Sequence, residues 1–119
     1  MFEWMKGNAY TLNVTLYTTN ITLNSAAASY FSDVRWVMIG LDKDENLVAI
    51  KPVTKRELDL KLIPLEQLHK ISIGKGYGRI SNKAIMAEIA EMCQQSLDGI
   101  KKGANFDDKQ GMLIIDLNS

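Results

Sequence analysis

Apolar and polar residues alternate in the first strong pattern of the chain. Leu12, Val14 and Leu16 fall between Asn13, Thr15 and Tyr17, the period of two that a half-buried β-strand requires. Thr18-Thr19-Asn20 makes a turn, and Ile21 and Leu23 resume the alternation. Asn24 predicts a helix start, because its side chain can accept a hydrogen bond from an amide the first turn leaves unpaired. A short helix through Ser25 to Phe31 follows. Val34 to Leu41 is apolar on both faces and predicts a buried strand. Asp42-Lys43-Asp44-Glu45-Asn46 is a polar hairpin loop, and Leu47 to Ile50 returns as the paired strand. Pro52 is expected to end that strand, since proline cannot donate to a ladder. This half reads β-β-α-β-β.

Val53 to Gln67 is charged and reads as a connector, with one edge strand through Leu58 to Leu62. The pattern then begins again. Leu68 to Ile73 predicts a strand, Gly74-Lys75-Gly76-Tyr77-Gly78 a turn, and Arg79-Ile80 a short strand. Ser81 or Asn82 caps a longer helix to about Leu97, with Ile85, Ile89, Met92 and Cys93 on one face. Asp98-Gly99 stops it, and Met112 to Leu117 is a final strand. Leu41 to Ile50 overlays Phe106 to Ile115 without a gap, and Leu23-Asn24 with Ala27 overlays Ile80-Ser81 with Ala84. The expectation is one domain over 1–119, with repeats at 12–53 and 68–117 and a connector at 54–67. The fold class is α+β, mostly β. Its two β-β-α-β-β repeats would form a small pseudo-twofold barrel or sandwich.

Charge changes little at the level of the whole chain. Fourteen basic residues balance fourteen acidic ones, which excludes a globally basic nucleic-acid coat and an acidic solvating tail. A single cysteine, Cys93, permits no internal disulfide, and one histidine beside it cannot assemble a zinc site. Positions 42–46 begin like a calcium loop, but Leu47 stands where glycine is needed and Val53 where glutamate is needed. His69 reads as an ordinary strand histidine and Cys93 as core packing. No nucleophile motif or carboxylate pair stands out, so no catalytic residue, cofactor or metal is expected. The uncharged run from Gly7 to Ser32 is too rich in threonine and asparagine for a bilayer helix, and the first residues lack the order of a secretory signal. A cytoplasmic location without membrane contact is the resulting expectation.

Locally the charge is uneven. From Gln67 to Ala87 there are four cations, Lys70, Lys75, Arg79 and Lys83, and no acid. Tyr77 lies among them, inside a glycine-rich turn that is neither a dinucleotide fingerprint nor a Walker loop. Such a surface suits phosphate contact, and the helix starting near Asn82 would aim its amino-terminal dipole at the same phosphate. The candidate nucleic-acid-binding residues are Lys70, Lys75, Tyr77, Arg79 and Lys83, expected as neighbours in space. Lys43 is expected to be solvated on an opposite hairpin tip.

Val14-Thr15-Leu16-Tyr17 through Ile21-Thr22-Leu23, a short helix, and a hairpin closing on Ala49-Ile50-Lys51-Pro52 resemble the swapped-hairpin transcription factors of the AbrB, MazE and MraZ group. Lys75-Gly76-Tyr77-Gly78-Arg79 matches the Gly-Arg of the MraZ turn signature but places lysine where that signature has aspartate. The resemblance implies a two-repeat transcription regulator that binds double-stranded DNA. A homodimer is expected because buried strands in so short a chain need a covering layer. The alternative is a protein–protein interaction module, antitoxin-like or scaffold, without DNA binding.

Overall fold

The computed structural model describes residues 1–5 and 11–118. The described residues are mostly β, and their eight strands close into an antiparallel barrel. The first half runs β1 (Asn13–Tyr17), β2 (Asn20–Leu23), α1 (Ser25–Ala28), a 3-10 turn over Ser29–Phe31, β3 (Trp36–Asp42) and β4 (Leu47–Val53). A short helix, α2 (Lys55–Asp59), and a 3-10 turn over Leu65–Gln67 lead to the second half. That half runs β5 (His69–Gly74), β6 (Tyr77–Ser81), α3 (Lys83–Cys93), β7 (Asp98–Asp107) and β8 (Met112–Asp116). Round the barrel the order is β1-β2-β6-β5-β3-β4-β8-β7, so each half contributes strands to both sides.

Alternation explains the interior. Val14, Leu16, Ile21, Leu23, Ile71 and Ile80 line one side of the core, and Val37, Val48, Ile50, Leu113 and Ile115 the other. No buried polar residue interrupts them among the described residues. Side chains fill the barrel, as they must when eight strands leave an interior only wide enough for them. β2 and β6 are antiparallel neighbours, so the helices that follow them leave from opposite ends of the barrel. Asn24 caps α1 by accepting from the Ala27 amide, and Asn82 caps α3 by accepting from Ile85. Phe31 beyond α1, and Met86 and Ile89 on α3, complete the core. Phe31→Ala would remove a fully buried ring, a change that costs about 3–5 kcal/mol in comparable cores.

The two long hairpins turn in the same way. Asp42 Oδ1 accepts from the amides of Asp44 and Glu45, at 3.1 and 3.0 Å. Asp107 Oδ1 accepts from Lys109 and Gln110, at 3.0 and 3.2 Å. Each turn then closes on a residue with positive φ, Asn46 at 61° and Gly111 at 66°. These carboxylates accept hydrogen bonds from the amides that hold the two turns. No cluster of metal-ligating side chains occurs among the described residues.

Several expectations are corrected. The connector holds helix α2, not an edge strand over Leu58 to Leu62, because Thr54 and Glu57 form a reciprocal capping box. Pro52 does not end β4: it pairs with Val37 where β8 no longer flanks the strand, so its missing N–H breaks no ladder. The glycine-rich turn is only two residues long, Lys75 and Gly76, with Tyr77 and Gly78 already in β6. Helix α3 ends at Cys93 with Gln94 left-handed, and Asp98-Gly99 opens β7 instead of stopping a helix. Val34 to Leu41 is not buried on both faces. Val37 alone is buried there, because among the described residues no element packs on the outward positions Met38 and Gly40 of β3.

Candidate nucleic-acid interface

Outward-facing residues fall into rows fixed by strand register. The central row on one side is Lys101, Thr15, Thr22, Arg79 and Ser72, one residue from each of β7, β1, β2, β6 and β5. Two residues along the same strands lie Tyr17, Asn20, Ser81 and Lys70, and two in the other direction Asn13, Tyr77 and Gly74. Lysine, arginine, tyrosine and small polar residues make up most of this face, and Asp98 is the one carboxylate in its rows. Asp98 stands at the edge, opposite Tyr17.

The geometry brings together three of the five residues marked by the sequence. Lys70 and Arg79 point outward from paired strands, and Arg79 has its guanidinium carbon 5.3 Å from the centre of the Tyr77 ring. That contact is within cation–π range and holds the charge against the sheet. Lys75 and Lys83 are separated. Lys75 sits in the two-residue turn before β6, and Lys83 opens α3 after β6 ends, so they flank the face from opposite ends. They are not immediate neighbours because a strand of five residues lies between them. None of Lys70, Lys75, Arg79 and Lys83 forms an ion pair among the described residues.

Lys101 joins the site only in three dimensions. It is thirty-one residues in sequence from Lys70 and twenty-two from Arg79, yet β7 closes the barrel against β1 and sets it in the row of Arg79. No local signal marks it. A shallow concavity of about 610 Å³ beside Arg79 is lined by Tyr17, Thr19, Asn20, Thr22 and Asp98. Within it Thr22 Oγ1 donates to Asn20 Oδ1 at 2.7 Å, and Asn20 Nδ2 donates to Thr19 Oγ1 at 3.0 Å.

The remaining titratable candidates behave structurally. His69 Nδ1 lies 3.3 Å from Asn82 Nδ2, and partial burial pushes its imidazole below the usual 6.5. Burial likewise raises the Cys93 thiol, consistent with packing against the core and not with a reactive thiolate. Lys43 is not simply solvated: its Nζ lies 2.9 Å from Glu88 of α3, a link that raises its pKa.

The other outer face is of a different kind. Gly40, Ala49, Ile114 and Asn105 form its middle row across β3, β4, β8 and β7. Met38, Leu47 and Met112 flank that row, with Lys51, Asp42, Asp107 and Asp116 around them. No helix among the described residues is long and apolar enough to cross a membrane. Comparison with family models, with curated proteins and with solved structures finds no match to this chain.

Proposed function

We propose that this chain is a DNA-binding protein of regulator type that holds the sugar-phosphate chain across the outer face of β7-β1-β2-β6-β5. The observation that carries the reading is the five-strand row from Lys101 to Ser72, with Arg79 inside it and Asp98 of β7 the one carboxylate in the rows on either side. Lysine and arginine on such a face neutralise phosphates, and threonine, serine and asparagine donate to phosphate oxygens. Lys75 and Lys83 extend the track at its two ends.

The two halves are read as repeats related by a pseudo-twofold axis. Exchanging β1–β4 for β5–β8 leaves the order of neighbours round the barrel unchanged, and the matched Asp42 and Asp107 turns support the same pairing. A homodimer belongs to this reading as well. The outer face around Ala49 and Ile114 would meet its copy over an area on the order of 400 Å² per chain, four strands by three rows. That is about half of what a stable interface buries, so association would be weak and concentration-dependent.

Titration of mixed-sequence DNA, duplex and single-stranded, at stepped salt tests the proposal. Arg79→Ala and Lys101→Ala should each weaken binding and lower the salt slope by roughly one ion, while Lys51→Ala on the other face leaves both unchanged. If the parent binds neither DNA form at micromolar protein, the reading fails and a protein-interaction module takes its place. That second reading has its own support: Leu60, Leu62 and Leu65 in the connector, and Phe2, Trp4 and Met5 near the start, are all exposed.

A further inference from the structure

Two tyrosines on the polar face are laid out like platforms. Tyr17 and Tyr77 keep 41% and 39% of their surface exposed, although both stand on strands inside a closed barrel. Each ring lies over a glycine of the adjacent strand. A Cβ at Gly74 would occupy the space taken by the Tyr77 ring, and a Cβ at Gly99 would sit 3.4 Å from Tyr17 Cε1. A side chain on Gly74 would displace the Tyr77 ring, so that glycine keeps the ring low on the sheet, while a Cβ at Gly99 would meet Tyr17 only at ordinary contact distance. Arg79 sets its planar guanidinium over the Tyr77 ring, 5.3 Å from its centre. Between the two rings run Arg79, Thr22 and Asn20, a line of donors and acceptors with one charge.

Base pairs in a duplex are stacked on one another and offer no face to an aromatic ring. Unpaired bases do, and stacking on protein rings contributes about 1–3 kcal/mol per base whatever the sequence. Tyr17 and Tyr77 lie two strands and about four residues apart on the sheet, roughly 16 Å by strand spacing and rise. That span suits the shortest single-strand sites, on the order of four nucleotides.

Resting on the DNA-binding reading above, we infer that the face takes single-stranded DNA. One unpaired base stacks on the Tyr77–Arg79 platform and another on Tyr17, with Lys70 and Lys101 meeting phosphates on either side. Fluorescence anisotropy of a labelled twelve-nucleotide oligothymidylate, alone and annealed to its complement, tests this at one fixed low salt. The single strand should bind at least about tenfold more tightly than the duplex. Tyr77→Ala and Tyr17→Ala should each weaken single-strand binding by roughly five- to a hundredfold, with Tyr77→Phe close to the parent. Gly74→Ala should act like Tyr77→Ala by displacing the ring, and circular dichroism of each variant reports whether the barrel is intact. Tighter binding of the duplex overturns the inference and leaves DNA binding standing. So does single-strand binding that falls with Arg79→Ala but is indifferent to both tyrosine variants. Binding of neither form at micromolar protein overturns both readings together.

Discussion

The barrel has two outer faces built from the same kind of strand, and they differ in what their outward rows carry. Across β7-β1-β2-β6-β5 the rows hold Lys70, Arg79, Lys101 and a field of hydroxyls and amides. Across β3-β4-β8-β7 they hold Met38, Leu47, Ala49, Met112 and Ile114, with three aspartates and one lysine at their margins. A chain of zero net charge is therefore a basic surface and an apolar, acidic one back to back. The difference teaches that total charge is a poor guide to partners here. The inner faces of both sheets are equally apolar, so the contrast owes nothing to the core. In the reading proposed above, DNA binding belongs to the first face and self-association to the second.

Charge reversal offers the hardest test of that contrast. Arg79→Glu combined with Lys101→Glu should lower DNA affinity by roughly a hundredfold at low salt, because two phosphate contacts become repulsions. Lys51→Glu, the same chemistry on the other face, should change affinity by less than about twofold. Similar losses from both would mean that the two faces are not distinct in function.

The hairpin tips that border the apolar face give the next largest effect, on stability. Gly111→Ala places a Cβ on a residue at φ 66° and should cost about 1–2 kcal/mol in urea unfolding. Asn46→Gly, at the equivalent point of the other tip, should change stability by only a few tenths, since asparagine already tolerates that backbone. Equal responses would mean that the left-handed backbone at these two positions does not set the cost.

His69 sharpens the boundary of the polar face through pH. Its pKa is lowered in the folded protein, so the unfolded chain takes up the proton first as pH falls. The stability it supports is full above the unfolded value of 6.5 and is lost as pH drops below that value. Urea midpoints measured at pH 7.5 and 5.5 should therefore fall with acid, and His69→Gln should flatten the difference. The smallest effect is expected at Lys43. Its pair with Glu88 is solvent-exposed on both sides, so Lys43→Ala should move the thermal midpoint by no more than a degree or two.

Much of the local structure was legible. Alternation located β1 and β2, and an apolar run located β8. Asn24 marked the start of α1, and Ser81 or Asn82 that of α3, where Asn82 is the cap whose side chain satisfies an amide that no helical carbonyl can reach. Helix α2 was readable too, since Thr54-Lys55-Arg56-Glu57 is a capping-box sequence, although its charged composition suggested a connector. Strand β7 was hidden. Lys102 occupies an inward position where alternation calls for an apolar residue, and it is accommodated by reaching the Leu117 carbonyl at 3.0 Å. Gln94 gave no warning as a left-handed helix end, because that role usually falls to glycine.

The candidate site divides along the same line. Lys70, Tyr77 and Arg79 are close in sequence, and one hairpin is enough to set them on one face. Lys75 and Lys83 are just as close in sequence, but the length of β6 carries them to opposite ends of it. By itself the sequence determined the alternating strands, the caps, the hairpin turns and the acid-free stretch, all properties of a few neighbouring residues. The tertiary structure alone decided that β2 pairs with β6 and β1 with β7. Those pairings join segments up to ninety residues apart, and their register depends on closing one barrel around one core. Only that closure sets Lys101 in the row of Arg79, and only it turns a neutral chain into two unlike faces.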